Sequence, residues 1–133
     1  MSVGILIISH NGIGASIFGT ANFMIKEIAL DIKLLSANRE SDPEELLNSA
    51  ISLLSELDKG DGVLVLTDLY GSTPSNIAHR LHEHAHVNVV SGLNLSMLIR
   101  VINYPELNLD DLTEKAYSGG IDGVTIDRGN GHA

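Results

Sequence analysis

The sequence predicts an α/β protein: a three-layer open sheet of four parallel strands, in the order 2-1-3-4, with helices on both faces. Two patterns lead to this prediction. Short continuous runs of Val, Ile and Leu alternate along the chain with longer stretches whose apolar residues recur at helical spacing. The runs at Val3–Ser9 and Val63–Thr67 lack the polar–apolar alternation of a half-exposed strand, so we expect these two strands to be buried on both faces.

The runs place the strands at Val3–Ser9, Ile32–Ala37, Val63–Thr67 and Val87–Ser91. The helical stretches fall at Ala15–Ile28, between Asp42 and Gly60, from Thr73 onward, at Asn94–Ile102 and at Asn108–Tyr117. Asp42-Pro43 and Thr73-Pro74 are typical helix starts, because a side-chain cap precedes a proline in the first turn. A last β-rich run, Ile121–Ile126, predicts a C-terminal edge strand. Its unpaired backbone would be covered by pairing across the two-fold axis of a homodimer.

Composition narrows the function. The chain has 133 residues, a net charge of −9 and no cysteine. A disulfide framework, a thiolate zinc site and thiol catalysis are therefore excluded, and the acidic balance argues against nucleic acid as a partner. We expect one domain over residues 1–126 and a flexible tail over 127–133. No basic segment precedes the first strand and no apolar run approaches the ~20 residues of a membrane helix, so a cytoplasmic location is expected.

The chemistry is expected where two neighbouring strands end. The first strand ends in Ser9-His10 and the third in Thr67-Asp68. In a 2-1-3-4 sheet these ends lie side by side at the crevice where the strand order reverses. A carboxylate on one nitrogen of an imidazole fixes the tautomer and leaves the other nitrogen free to attack. We therefore predict His10 as nucleophile and Asp68 as its orienting carboxylate.

The segment after Asp68 supplies an anion site. Gly71 allows close backbone approach, and the hydroxyls of Ser72 and Thr73 join the free amides of the helix start at Pro74. A phosphoryl group on His10 would lie near these donors. The predicted site thus comprises nucleophile, orienting carboxylate and anion cradle, with no metal or cofactor.

Two other motifs are interpreted as structural. The stretch Asn11–Ser16 contains G-x-G after a strand but lacks the third glycine of a dinucleotide loop. Four histidines lie close together in the sequence: His79, His82, His84 and His86. They are divided between a predicted helix and the turn that follows it, with few carboxylates nearby, so a solvated histidine-rich helix end is favoured over a metal site.

Ser9-His10, together with the stretch TDLYGSTPSN from Thr67 to Asn76, resembles the mannose-type IIA component of the bacterial phosphoenolpyruvate-dependent sugar phosphotransferase system. Ser91–Leu98, SGLNLSML, is similar to that family's segment after the fourth strand. The resemblance extends from Val3 to about Ile126. The sequence departs from it at Tyr70, where relatives often have Trp, and at Ser72, where they often have Gly.

The resemblance implies a function. His10 would carry a phosphoryl group on Nε2, Asp68 would orient the ring, and Thr73 would help to bind the phosphoryl oxygens. The donor would be phospho-HPr and the acceptor a IIB component, for sugar uptake, or a regulatory target. The family fold exchanges its last strand across a homodimer, and Ile121–Ile126 matches that strand.

Three other functions remain as alternatives. A receiver domain would use Asp68 as phosphoacceptor, but it needs an acidic pair after the first strand to hold Mg²⁺, and Ser9-His10 stands there. A flavodoxin-like binding module would need aromatic side chains to flank a flavin, and the aromatic content is only 4%. The last alternative is an interaction module without phosphohistidine chemistry.

Overall fold

The computed structural model describes residues 2–129, which form a parallel sheet with α-helices on both faces. The strands are β1 (Gly4–His10), β2 (Ile32–Ala37), β3 (Val63–Thr67) and β4 (Val87–Ser91). The helices are α1 (Ile13–Met24), α2 (Pro43–Leu57), α3 (Thr73–Arg80), α4 (Leu95–Ile102) and α5 (Leu109–Asp122). The strand order is β2-β1-β3-β4, which confirms the predicted fold class.

Strand β1 lies in the interior of the sheet and sets the position of the strand ends. It pairs in parallel with β2 on one side and β3 on the other. His10 is the register partner of Ala37, and Ile8 is the partner of Thr67. The carboxyl ends of β1, β2 and β3 therefore meet at one edge of the sheet.

The side chains of β1 alternate between two hydrophobic cores, one on each face. Ile5 and Ile7 pack in a core that includes residues of α1, α4 and α5. Leu6 and Ile8 pack in a second core, with α2 and α3. All four side chains have zero exposure, which explains the uninterrupted apolar run in the sequence.

Helix α1 is shorter at its carboxyl end than predicted. The sequence pattern extends it to Ile28, but the helix ends at Met24 and Ile25 adopts an extended conformation. Ile25 and Ile28 are partly buried against the core of α1, α4 and α5. Ile25 and Ile28 keep the helical spacing of apolar residues although the segment after Met24 is not helical. The prediction extended the helix for this reason.

Helix α5 is longer than predicted, and the C-terminal strand predicted at Ile121–Ile126 is not formed. Ile121 and Asp122 belong to the helix, and residues 124–129 have no regular secondary structure. The glycines within α5 indicate close packing, since a Cβ at Gly120 would lie only 2.8 Å from Met97 Cε. A strand also requires a neighbouring strand to pair with. The exchange of the Ile121–Ile126 segment in a homodimer involves two chains and stays a prediction.

None of the helices in the described part of the chain combines the length and apolar character that a bilayer crossing needs.

Candidate active site

The position of His10 is fixed by the junction between β1 and α1. Ser9 Oγ donates a hydrogen bond to the His10 carbonyl (3.0 Å) and accepts one from the Gly14 amide (2.8 Å). Gly12 adopts φ 86°, a conformation that favours glycine, and α1 begins directly after it. A Cβ at Gly14 would lie 2.7 Å from Ser9 Oγ, so the glycine lets the helix start lie against the strand end. The two glycines of this loop thus have structural roles.

His10 and Asp68 lie together as the sequence predicts. Asp68 Oδ2 accepts from the His10 backbone amide (2.9 Å) and lies 2.8 Å from His10 Nδ1. Asp68 Oδ1 accepts from the Leu69 amide (3.0 Å). The Asp68 side chain is 8% exposed, whereas that of His10 is 44% exposed. The carboxylate is thus enclosed and held from two sides, while the imidazole faces solvent.

Two opposing effects determine the ionisation of Asp68. Burial disfavours the charged carboxylate and alone would raise its pKa. The hydrogen bonds from the His10 backbone and ring, with the attraction of the imidazole, act against burial and lower the pKa of Asp68 below its ordinary value. An ionised Asp68 accepts hydrogen bonds only, so it favours the His10 tautomer with its proton on Nδ1. That tautomer leaves a lone pair on Nε2, for which no hydrogen bond is found within residues 2–129.

A cleft of about 540 Å³ opens beside His10 at this edge of the sheet. Its lining comes from the segments after β1 and β2 and from the starts of α2 and α3: His10, Asn11, Ala37, Asn38, Arg39, Ser41, Pro43, Thr73 and Pro74. The location agrees with the general rule that open α/β sheets bind ligands outside the carboxyl ends of their strands.

The three residues predicted to form the anion site differ in placement. Thr73 is exposed and lines the cleft with His10, but Gly71 and Ser72 are not among the lining residues. Gly71 adopts φ 87° with open space around its Cβ position, so it serves a turn rather than a close approach. Ser72 Oγ donates to the Leu69 carbonyl (2.6 Å), which occupies its proton within the turn.

Sequence reasoning missed the contribution of the loop after β2. Asn38, Arg39 and Ser41 line the cleft, yet they belong to no motif. Their only signal in the sequence is their place directly after the strand predicted to lie next to β1. Arg39 is one of only eight Lys and Arg residues in the sequence.

The histidine-rich end of α3 is separate from this cleft. The ring of His79 lies edge-on to Tyr70, 5.8 Å between centroids, and 6.3 Å from the ring of His82. Within the described chain, no three His, Asp or Glu side chains are grouped so that they could hold a metal ion.

The fold and the residues at the carboxyl ends of the strands define the class of protein. It is an open-sheet α/β protein with a histidine–carboxylate pair where the strand order reverses. Comparison with known proteins gives the family. Residues 4–117 match the EIIA-man family model, described as the PTS system fructose IIA component. The chain therefore belongs to the EIIA-man family, the mannose-type IIA components of the sugar phosphotransferase system, and is a phosphotransferase component in this general sense.

The relatives agree with this assignment. Over 127 residues the chain is 27% identical to the PTS system mannose-specific EIIAB component of Escherichia coli, covering 93% of this chain but 39% of that protein. The mannose/sorbose specific IIA subunit from Enterococcus faecalis superposes with a TM-score of 0.86, at 27% identity over 96% of both chains. An EIIA component from Streptococcus agalactiae shares the fold, with a TM-score of 0.78 at 24% identity, over 93% of this chain and 96% of that one.

Proposed function

We propose that the chain is a phosphocarrier, which accepts a phosphoryl group from phospho-HPr on Nε2 of His10 and passes it to a IIB component. The alternative acceptor is a regulatory target. The observation that carries the proposal is the 2.8 Å pair between His10 Nδ1 and Asp68 Oδ2 beside an open cleft. This pair leaves Nε2 as the reactive nitrogen.

The proposed transfer is a displacement at phosphorus. The lone pair of His10 Nε2 attacks the phosphorus of the donor's phosphohistidine, a new N–P bond forms, and the donor's P–N bond breaks. The electron pair of the broken bond stays on the donor imidazole nitrogen. The His10 ring keeps its proton on Nδ1 and becomes positively charged, and the adjacent Asp68 carboxylate stabilises that charge. Transfer to the acceptor reverses these steps.

Thr73 and the start of α3 are the proposed contacts for the phosphoryl oxygens. Thr73 lies in the cleft at the amino end of the helix, where free amides and the helix dipole favour an anion. Gly71 and Ser72 form the turn that presents Thr73. The Ser72 hydroxyl would contact the phosphoryl group only after it releases the Leu69 carbonyl.

The donor and acceptor follow from the family. PTS IIA components work with HPr and IIB proteins, and the Escherichia coli relative is named as an EIIAB component. This chain spans about two fifths of that relative, and we propose a IIB component as its acceptor. We expect the exchange to occur in the cytoplasm.

Labelling with purified phospho-HPr tests the nucleophile. His10 should be the only labelled residue, through a bond that is labile in acid and stable in base. His10→Ala should abolish labelling, whereas His79→Ala, which removes an exposed histidine outside the cleft, should leave it unchanged. Mass spectrometry that finds the label on Asp68 or on another histidine would overturn the proposal.

We also infer a homodimer that exchanges the segment after α5. Val124 and Ile126 are 75% and 74% exposed, and they follow the helix that packs beside the edge strand β4. Within residues 2–129, the outer edge of β4 has backbone donors and acceptors without a strand partner. The same segment of a second copy would pair with that edge and cover the apolar side chains.

The oligomeric state tests this inference. Light scattering at micromolar concentration should give a dimer, and replacing both Val124 and Ile126 by Asp should give a folded monomer. Leu34→Asp places an acidic residue on the opposite edge strand and should leave the dimer intact. A monomeric wild-type chain would refute the inference.

A further inference from the structure

Arg39 and His10 line the same cleft. Ala37 is the register partner of His10, and the Asn11 amide donates to the Ala37 carbonyl (2.8 Å), so the segments after β1 and β2 leave the sheet side by side. Arg39 follows two residues later and lines the same cleft as His10. The loop after β2 thus brings a guanidinium to the edge of the sheet that holds the reactive imidazole.

Hydrogen bonds fix the loop that carries Arg39. Asn38 Oδ1 accepts from the Glu40 amide (2.9 Å) and from Ser41 Oγ (3.2 Å). The Asn38 amide in turn donates to Ser41 Oγ (3.0 Å). These hydrogen bonds join the residues on either side of Arg39 and hold the backbone of the turn in place. The Arg39 side chain is exposed.

The charge of Arg39 is available to a ligand. It is the one residue with a permanent positive charge among those that line the cleft. No ion pair of Arg39 is found within residues 2–129, whereas Arg80 and Arg100 each pair with a carboxylate at 3.1 Å. In a chain of net charge −9, an unpaired guanidinium next to the proposed phosphoryl acceptor offsets the repulsion that an incoming anion would meet.

The turn before α3 and the first residues of that helix offer fewer hydrogen-bond donors than the sequence predicts. The Ser72 hydroxyl proton is bound to the Leu69 carbonyl, and Pro74 has no amide proton to offer in the first turn of α3. Phosphoryl transfer spreads negative charge over three oxygens, which positioned cations stabilise. A guanidinium can donate two parallel hydrogen bonds to such oxygens.

We propose that Arg39 contacts the phosphoryl oxygens during transfer to and from His10, as a phosphoryl-contacting residue that this chain supplies itself. The proposal rests on the proposed phosphocarrier function and adds a residue to it. Three strand ends would then share the reaction, with His10 as the last residue of β1, Asp68 after β3 and Arg39 after β2.

The test uses two phosphoryl donors, purified phospho-HPr and the small molecule phosphoramidate, with the full chain and its Arg39→Gln and Arg39→Lys variants. Arg39→Gln should lower the rate of His10 phosphorylation by about 10- to 100-fold with both donors, as expected for one charged contact in an open site. Arg39→Lys should recover part of the rate, since it keeps the charge but loses the two-fold contact. Lys59→Gln removes an exposed charge at the opposite edge of the sheet and should change neither rate.

Unfolding by urea should show equal stability for Arg39→Gln and the wild type, so that a lower rate reports the contact and not the fold. Wild-type rates for Arg39→Gln with both donors would overturn the proposal. A loss seen with phospho-HPr alone would also overturn it, because Arg39 would then bind the partner protein and not the phosphoryl group. If the wild-type chain accepts phosphoryl from neither donor, the proposed function itself fails, and this inference fails with it.

Discussion

Asp68→Asn is the substitution that tests the proposed mechanism most directly. Asp68 Oδ2 accepts from the His10 amide and ring, and Oδ1 accepts from the Leu69 amide. Asparagine has one acceptor oxygen and one NH₂ group, so it cannot meet all these donors. If its oxygen faces His10, its NH₂ opposes the Leu69 amide. If it is flipped, its NH₂ faces His10 Nδ1 and favours the proton on Nε2, which removes the reactive lone pair.

The size of the effect follows from the bonds that are lost. A hydrogen bond to a charged group contributes about 1.5–3 kcal/mol. Because each 1.36 kcal/mol is a factor of ten in rate, the transfer should slow by about 10- to 150-fold if that stabilisation is lost in the transition state. This is smaller than the ~10⁴-fold loss for the matching change in a serine protease, since a phosphohistidine donor is already reactive.

Rapid-quench measurement of phosphoryl transfer from purified phospho-HPr gives the rate. Asp31→Asn makes the same change of charge at an exposed site before β2, at the other edge of the sheet, and should transfer at the wild-type rate. Circular dichroism checks that both variants are folded. A folded Asp68→Asn protein with unchanged kinetics would remove the carboxylate from the mechanism.

Three further outcomes are expected. The pKa of Asp68 is lower in the folded protein than its ordinary value. The ionised carboxylate therefore stabilises the fold at pH values above the ordinary pKa, and this contribution is lost as the pH falls through the folded pKa. Urea unfolding between pH 5 and about pH 2.5 should show a larger loss of unfolding free energy for the wild type than for Asp68→Asn. Gly14→Ala should lower the free energy of unfolding by about 1–3 kcal/mol, because the new Cβ would lie 2.7 Å from Ser9 Oγ. Gly19→Ala, in the same helix but with open space around the new Cβ, should raise the free energy of unfolding by about 0.5–1 kcal/mol. Equal values for the two variants would contradict the packing argument. Transfer from purified phospho-HPr to His10 should proceed in excess EDTA at nearly the same rate, and a rate that EDTA stops and Mg²⁺ restores would refute the metal-free mechanism.

The strands and the His10–Asp68 pair could be predicted because their signals are local. Short runs rich in Val, Ile and Leu mark β2, β3 and β4 with the bounds that the structure has. Once the strand order is set, parallel pairing brings the ends of β1 and β3 together, so the proximity of His10 and Asp68 follows from topology. The sequence does not show that a single oxygen, Asp68 Oδ2, contacts both the backbone amide and the ring nitrogen Nδ1 of His10.

Features that depend on distant packing could not be predicted. Glycine is expected to end a helix, yet Gly119 and Gly120 continue α5 because the helix lies close to α4. Arg39 has no motif around it, and only the register of β2 against β1 relates it to His10. The segment after α5 has no regular secondary structure in the single chain, and in the proposed homodimer it would form a strand only against a second copy.

The arrangement of charge around His10 suits a carrier that must both accept and release its phosphoryl group. Asp68 is enclosed on the Nδ1 side, where its negative charge would stabilise the proposed phosphorylated ring without facing the phosphoryl oxygens. Arg39 and Thr73 line the open cleft, where they would meet those oxygens. Binding energy that favours the transition state over the loaded state speeds transfer in both directions, whereas a site that held the phosphoryl group tightly would trap it. An exposed arginine on a short loop fits this requirement better than a buried one, because water competes for the loaded group once the partner protein has left.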